Sequence, residues 1–222
     1  MNPIVYQMPH SPFCIPITQA LRACGVPFEA RDVLNWDRSD IIAITDGAYY
    51  QVPVLLHGDK IVFETSGNSQ EVARYVDAEF AEGRLFPARL DGLQAIVIDF
   101  LEDQVEGVTF RLVNPHYLDA ITDKVGKVMT IRHKERKFGR GCIEEWRRNA
   151  GALRQEADRL LNRFEVTLEF SRFLFGDEPV YSDFLLYGVL GNMTWNGWNK
   201  LSTEQSSLHR WQSEMERLEF KK

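Results

Sequence analysis

The chain has 222 residues, 44% of them apolar and 26% charged, with a formal net charge of −6. That length holds one large domain or two small ones, each able to bury a core. The acidic balance argues against nucleic acid or an anionic membrane as the main partner.

The first residues, Met1-Asn2-Pro3-Ile4, lack the charged start and apolar run of a signal peptide, and no window approaches the roughly 18 apolar residues of a membrane span. Ile4-Val5-Tyr6 is β-branched and aromatic and reads as a buried strand. From Ile15 to Cys24 the apolar residues Ile17, Ala20, Leu21 and Cys24 recur at three and four, the spacing of a helix face. Between them lies Ser11-Pro12-Phe13-Cys14. A hydroxyl and a thiol thus sit at a helix mouth, where unpaired N–H groups and the helix dipole favour negative charge. Such a place can hold a thiolate at neutral pH. Pro16 falls in the first turn, where its missing N–H costs nothing.

Phe28 to Val33 alternates after Gly25 and predicts a second strand. Val52-Pro53-Val54-Leu55-Leu56 and Lys60-Ile61-Val62-Phe63 flank His57-Gly58-Asp59, which predicts a hairpin. Pro53 cannot donate to a ladder, so it marks an edge, a bulge or a cis bond. A cis Val52–Pro53 bond would leave the N–H and C=O of Val52 for an extended peptide ligand. Ser69 to Phe80 predicts a helix capped by Ser69, with Val72, Tyr75, Val76 and Phe80 on its apolar face.

The pattern breaks at Glu82-Gly83-Arg84-Leu85-Phe86-Pro87, which divides the chain into a domain over 1–82 and another over 90–222. Beyond the break the patterning is helical. Leu93, Ile96, Val97, Phe100 and Leu101 start a long helix toward Asn114-Pro115, and Trp146, Leu153, Ala157, Leu160, Leu161 and Phe164 mark another. Phe184–Met193 and Leu208–Leu218 add two more. The basic run from Lys124 to Arg140 reads as a solvated helix face. The expected class is an α/β domain followed by an all-α bundle.

The three cysteines, Cys14, Cys24 and Cys142, are odd in number and far apart, which fits a reducing cytoplasm better than a disulfide framework. The five histidines have no metal-ligand spacing, so no metal is expected. No phosphate-cradling glycine loop and no Gly-x-Ser-x-Gly elbow occurs.

Three stretches together resemble the cytosolic glutathione S-transferases. Ser11-Pro12-Phe13 resembles their serine-type catalytic motif, and Gln51-Val52-Pro53-Val54-Leu55 their cis-proline segment. Phe173-Leu174-Phe175-Gly176-Asp177 through Ser182-Asp183-Phe184 resembles the signature that opens their core helix. The resemblance implies a thioredoxin-like domain with a mixed four-stranded sheet, then a helical domain, in a cytoplasmic homodimer. It implies that Ser11 donates a hydrogen bond to the sulfur of glutathione, the co-substrate, for attack on a hydrophobic electrophile by conjugation or ether cleavage. Phe13, Gln51, Val52 and Pro53 would line the tripeptide's site, with Val52 pairing its cysteinyl amide. The γ-glutamyl end would meet Glu64 and Thr65 or, counted from Tyr75, Asn68 and Ser69. Glu64 suits the ammonium and Ser69 the carboxylate.

By position in the family, His10, Phe110 and Tyr117 are expected in the second-substrate pocket, along with Met8, Phe13, Trp195 and Trp198, and Arg111 as a contact for an acidic group. Cys14 falls where a resolving cysteine sits in redox relatives. It is either a packed apolar residue or the nucleophile of a glutathione-dependent thiol-disulfide oxidoreductase. A non-catalytic glutathione-binding module is the third reading. Val180 replaces the usual Ser or Thr of the box completed by Asp183, which predicts a weakened cap.

Overall fold

The computed structural model of the chain describes residues 1–65 and 70–220. Four short strands form one mixed sheet: β1 (Ile4–Gln7), β2 (Glu29–Asp32), β3 (Val54–His57) and β4 (Lys60–Phe63), in the order β2-β1-β3-β4. β2 runs parallel to β1, while β3 pairs antiparallel with β1 and with β4. The parallel step from β1 to β2 is bridged by α1 (Cys14–Ala23), as a crossover requires. β2 is exposed along its length and carries Glu29, Arg31 and Asp32, charges that keep an edge from recruiting another strand. α2 (Ser39–Ile44) leads toward the β3–β4 hairpin, and α3 (Glu71–Val76) follows it, extended by a π-helical turn over Asp77–Ala81.

The helix expected from Ser69 is seen from Glu71; Ser69 itself lies outside the described residues. Glu64 supplies the cap. Its carboxyl oxygens accept from the N–H of Glu71 at 2.8 Å and of Val72 at 3.4 Å.

The second half is helical: α4 (Asp91–Phe100), a π-helical stretch over Leu101–Glu106, α5 (Gly107–Ala120), α6 (Lys124–Phe138), α7 (Cys142–Arg148), α8 (Ala150–Phe170), α9 (Tyr181–Thr194) and α10 (Ser206–Glu216). Two expectations are corrected. α5 continues through Pro115, because buried Leu112, Val113 and Leu118 hold both sides of it against α7 and α8. In α4 the apolar phase is different: Leu93 and Ile96 are exposed, whereas Gln94, Ile98, Leu101 and Val105 face the core.

α9 is buried on nearly every side, as a helix apolar all round should be. It packs on α1, joining the sheet layer to the bundle. Gly188 makes the approach possible, since a Cβ there would stand 2.3 Å from the Pro12 carbonyl oxygen. The segment between the two halves is held rather than loose. Asp77 accepts from the N–H of Leu85 and Phe86, and buried Gln94 bridges the Leu85 carbonyl to the Ser182 N–H. Val180 indeed offers no side-chain acceptor, yet Asp183 collects three donors, from Leu174 N–H, Val180 N–H and Trp211 Nε1.

Candidate active site

A cleft of about 650 Å³ opens between the sheet domain and the helices. The β1–α1 loop forms its floor. Ser11 is 4% exposed; its N–H bonds the Met8 carbonyl at 2.9 Å, and its own carbonyl accepts from Cys14 and Ile15 at 3.1 Å. The loop is fastened from the helical side by Asn192 of α9, whose side-chain amide donates to the His10 carbonyl. The Ser11 hydroxyl oxygen accepts the Phe13 N–H at 3.3 Å, and the hydroxyl also hydrogen-bonds the Cys14 thiol.

Opposite, Gln51 and Val52 reach the cleft from the loop before β3, whose ladder begins at Val54. The Val52–Pro53 bond is cis. α5 and α6 close the far side with Phe110, Tyr117 and Phe138, and behind them Phe110, Phe138 and Trp146 form one aromatic cluster with ring centroids 5.3 to 5.8 Å apart. The His10 ring lies 4.6 Å from that of Tyr117 and 5.8 Å from that of Trp198. Burial, with the nearby Lys134 charge, pushes His10 down to about 4, so it is neutral at pH 7.

The structure therefore gathers Ser11, Phe13, Gln51, Val52, His10, Phe110 and Tyr117, with Met8 and Arg111, around one space. Other candidates lie elsewhere. Pro53 is buried behind Val52. Glu64 caps α3, and burial raises its carboxyl to about 8; Thr65 bonds the Glu71 carboxylate through its N–H and hydroxyl at 3.1 and 2.6 Å. Cys14, considered as a nucleophile, is wholly buried beside Tyr6, Ile41, Val52 and Val54. Burial outweighs its hydrogen bond with Ser11 and raises the thiol to about 11, the opposite of an activated thiolate. Trp195 borders a different cavity, with Ile15, Tyr187 and Gly191.

The sequence reading missed the charged part of the cleft. Arg38, Lys134 and Lys137 line it, with Glu102, Asp103 and Glu106. Lys134 sits in the run read as a solvated face, yet burial lowers it to about 8. Gly126, Thr130, Lys134 and Phe138 recur at intervals of four, a stripe that would have signalled the inward face.

A four-stranded mixed sheet with a serine at the mouth of its first helix and the all-helical region that follows together border one cleft walled by aromatic rings. Residues 5–84 match the family model described as glutathione S-transferase, N-terminal domain. No curated protein matches the chain. Among solved structures it is similar to a glutathione S-transferase of Ceriporiopsis subvermispora in complex with glutathione, at 16% identity over 100% of this chain and 99% of that one, with a TM-score of 0.81. Glutathione transferase GSTFuA3 from Phanerochaete chrysosporium gives 17% identity, 100% and 99% coverage and a TM-score of 0.80. A glutathione S-transferase from Pseudomonas fluorescens gives 18%, 96% and 94%, and 0.66. The first 84 residues thus hold a glutathione S-transferase N-terminal domain, and the whole chain has the glutathione transferase fold.

Proposed function

We propose that the protein is a serine-type glutathione transferase that joins glutathione to an aromatic electrophile, or uses it to cleave an aryl ether, as a cytoplasmic homodimer. One observation carries the reading: Ser11 at the mouth of α1 and Val52 before β3 line the same cleft, beside the rings of Phe110 and Tyr117. In this reading the Ser11 hydroxyl donates to the glutathione sulfur and favours the thiolate, helped by the α1 N-terminus. Val52 pairs its backbone with the cysteinyl amide and Gln51 borders the same groove. The γ-glutamyl end extends toward Glu64 and Thr65, with Ser69 as the carboxylate's partner. The neutral His10 ring, Phe110 and Tyr117 take the electrophile. Holding thiolate and electrophile together supplies the remainder of the acceleration.

A hydrogen bond to a charged group contributes about 1.5–3 kcal/mol. Ser11→Ala is therefore expected to lower kcat/KM roughly ten- to a hundredfold across aryl halides and ethers, and to raise the pKa of bound glutathione. Unchanged turnover would remove Ser11 from the mechanism. Titration calorimetry with glutathione separates a non-catalytic module from one that binds nothing.

A further inference from the structure

We infer that the electrophile taken by this cleft is an aromatic acid, its carboxylate held between the Arg38 guanidinium and the Lys134 ammonium. The inference deepens the transferase reading and rests on it. Arg38 immediately precedes α2 in the sheet domain, whereas Lys134 comes from α6 in the helical domain, and both line the cleft that holds Ser11. Arg38 is fixed from one side only. Its Nη2 donates to Asn35 Oδ1 at 2.9 Å and lies 3.5 Å from Met8 Sδ. Its Nη1 is buried with no partner. A buried guanidinium N–H without an acceptor is costly, and such an orphan marks a place where a ligand atom belongs.

Lys134 completes the pair. It joins none of the ion pairs among the described residues. Its Nζ stands 4.2 Å from the Phe110 ring centroid. Glu106 favours its charge, while Lys137 and Arg38 oppose it. Burial lowers the proton affinity of His133, and the charges of Lys134, Arg136, Lys137 and Arg38 lower it further. Two cations from different elements thus line one space and repel each other, with Glu106 offsetting part of that charge. The arginine fork matches a carboxylate in two-point contact, and an ammonium supplies a third donor. The surrounding rings of Tyr117, His10 and Phe138 suit the flat body of the same molecule. α6 is seated against the sheet domain where Gly126 meets the Trp36 indole, which brings Lys134 toward Arg38.

The test compares a chlorodinitrobenzoate with the chlorodinitrobenzene that lacks only its carboxylate. With either, the glutathione thiolate forms a C–S bond to the ring carbon and chloride leaves with the electron pair of the broken C–Cl bond; the thiol proton goes to solvent. The acid is expected to exceed the neutral arene in kcat/KM by about tenfold or more, the value of one charge-assisted hydrogen bond. Arg38→Gln and Lys134→Met should each remove most of that ratio, and Lys134→Arg should retain it. Quenching of tryptophan emission by unreactive dinitrobenzoate reads the anion site without turnover. Equal rates for both arenes with no preferential quenching would overturn the inference. So would an Arg38→Gln variant that raises the KM for glutathione with the ratio intact, which would give Arg38 to the tripeptide's own carboxylate. Failure of the transferase reading looks different: neither arene reacts, while dinitrobenzoate still quenches.

Discussion

Replacing Gly188 with alanine should disturb the active-site loop from the far side of the fold. Gly188 lies on α9 where that helix crosses the start of α1. An added Cβ would stand 2.3 Å from the Pro12 carbonyl oxygen and 2.6 Å from the Pro16 Cγ and Cδ, against an ordinary contact of 3.4 Å or more. Neither neighbour is the free end of a flexible side chain; one is backbone and the other a proline ring. The loop and α9 must therefore separate by about 1 Å at the contact, given the close packing of protein interiors. Overpacking of this kind costs about 1–3 kcal/mol, and alanine's better helix propensity returns at most about 1 kcal/mol. The expected net loss is ~1–2 kcal/mol in urea melts. Ser11 adjoins Pro12, so conjugation should fall further than stability does, because misplacement by about 1 Å can cost roughly a hundredfold in rate. Gly191→Ala is the control, since its Cβ would meet only the Ile15 side chain, Cδ1 at 3.1 Å and Cγ2 at 3.6 Å. A Gly188→Ala protein with wild-type melting and wild-type turnover would refute the reasoning.

Asp183→Ala strands three buried donors, the N–H groups of Leu174 and Val180 and the Trp211 indole. It should lower stability by ~3 kcal/mol or more in denaturant melts, and a loss below about 1 kcal/mol would count against the box. His10, held near 4 in the folded protein, binds fewer protons folded than unfolded between that value and its ordinary 6.5. Stability contributed this way is complete above pH 6.5 and drains as pH falls toward 4, by up to roughly 3 kcal/mol. Thermal melts of His10→Leu should flatten across that window, and curves parallel to wild type would contradict the assignment. Burial raises Cys14 and Cys24 to about 11 and raises Cys142 as well. Thiol titration of the native protein at neutral pH should consequently run slowly and reach three equivalents on denaturation; a fast native equivalent lost in Cys14→Ser would revive the redox reading.

Much of the sheet was legible because its strands are short β-branched runs punctuated by turn residues, as at His57-Gly58-Asp59. The helix-mouth serine was legible too, since strand, polar residue and amphipathic helix follow one another without interruption. The phase of α4 was not. Leu93 and Ile96 are 53% and 67% exposed, while polar Gln94 is buried because it has both Leu85 and Ser182 to bond. A rule that sorts residues by polarity assigns each of the three to the wrong side. Lys134 escaped for a related reason, being the inward member of a strongly basic helix whose Gly126 packs on Trp36, far away in sequence. Arg38 sits in a segment without periodicity, so only the fold could bring it to the cleft. Glu64 shows the same limit: it lies seven positions before Glu71, whose N–H it receives.

The fastening of the chain between its halves bears on how the protein could be re-engineered. Leu85 and Phe86 give their amides to Asp77, and Leu85 gives its carbonyl to Gln94 and to the Tyr181 N–H. Residues on both sides of the junction thus share one small knot, and no incision there spares every strand of it. A graft that exchanged the helical half for a foreign one would have to import partners equivalent to Gln94, Tyr181 and Ser182. Otherwise the donor half would arrive with its seam undone.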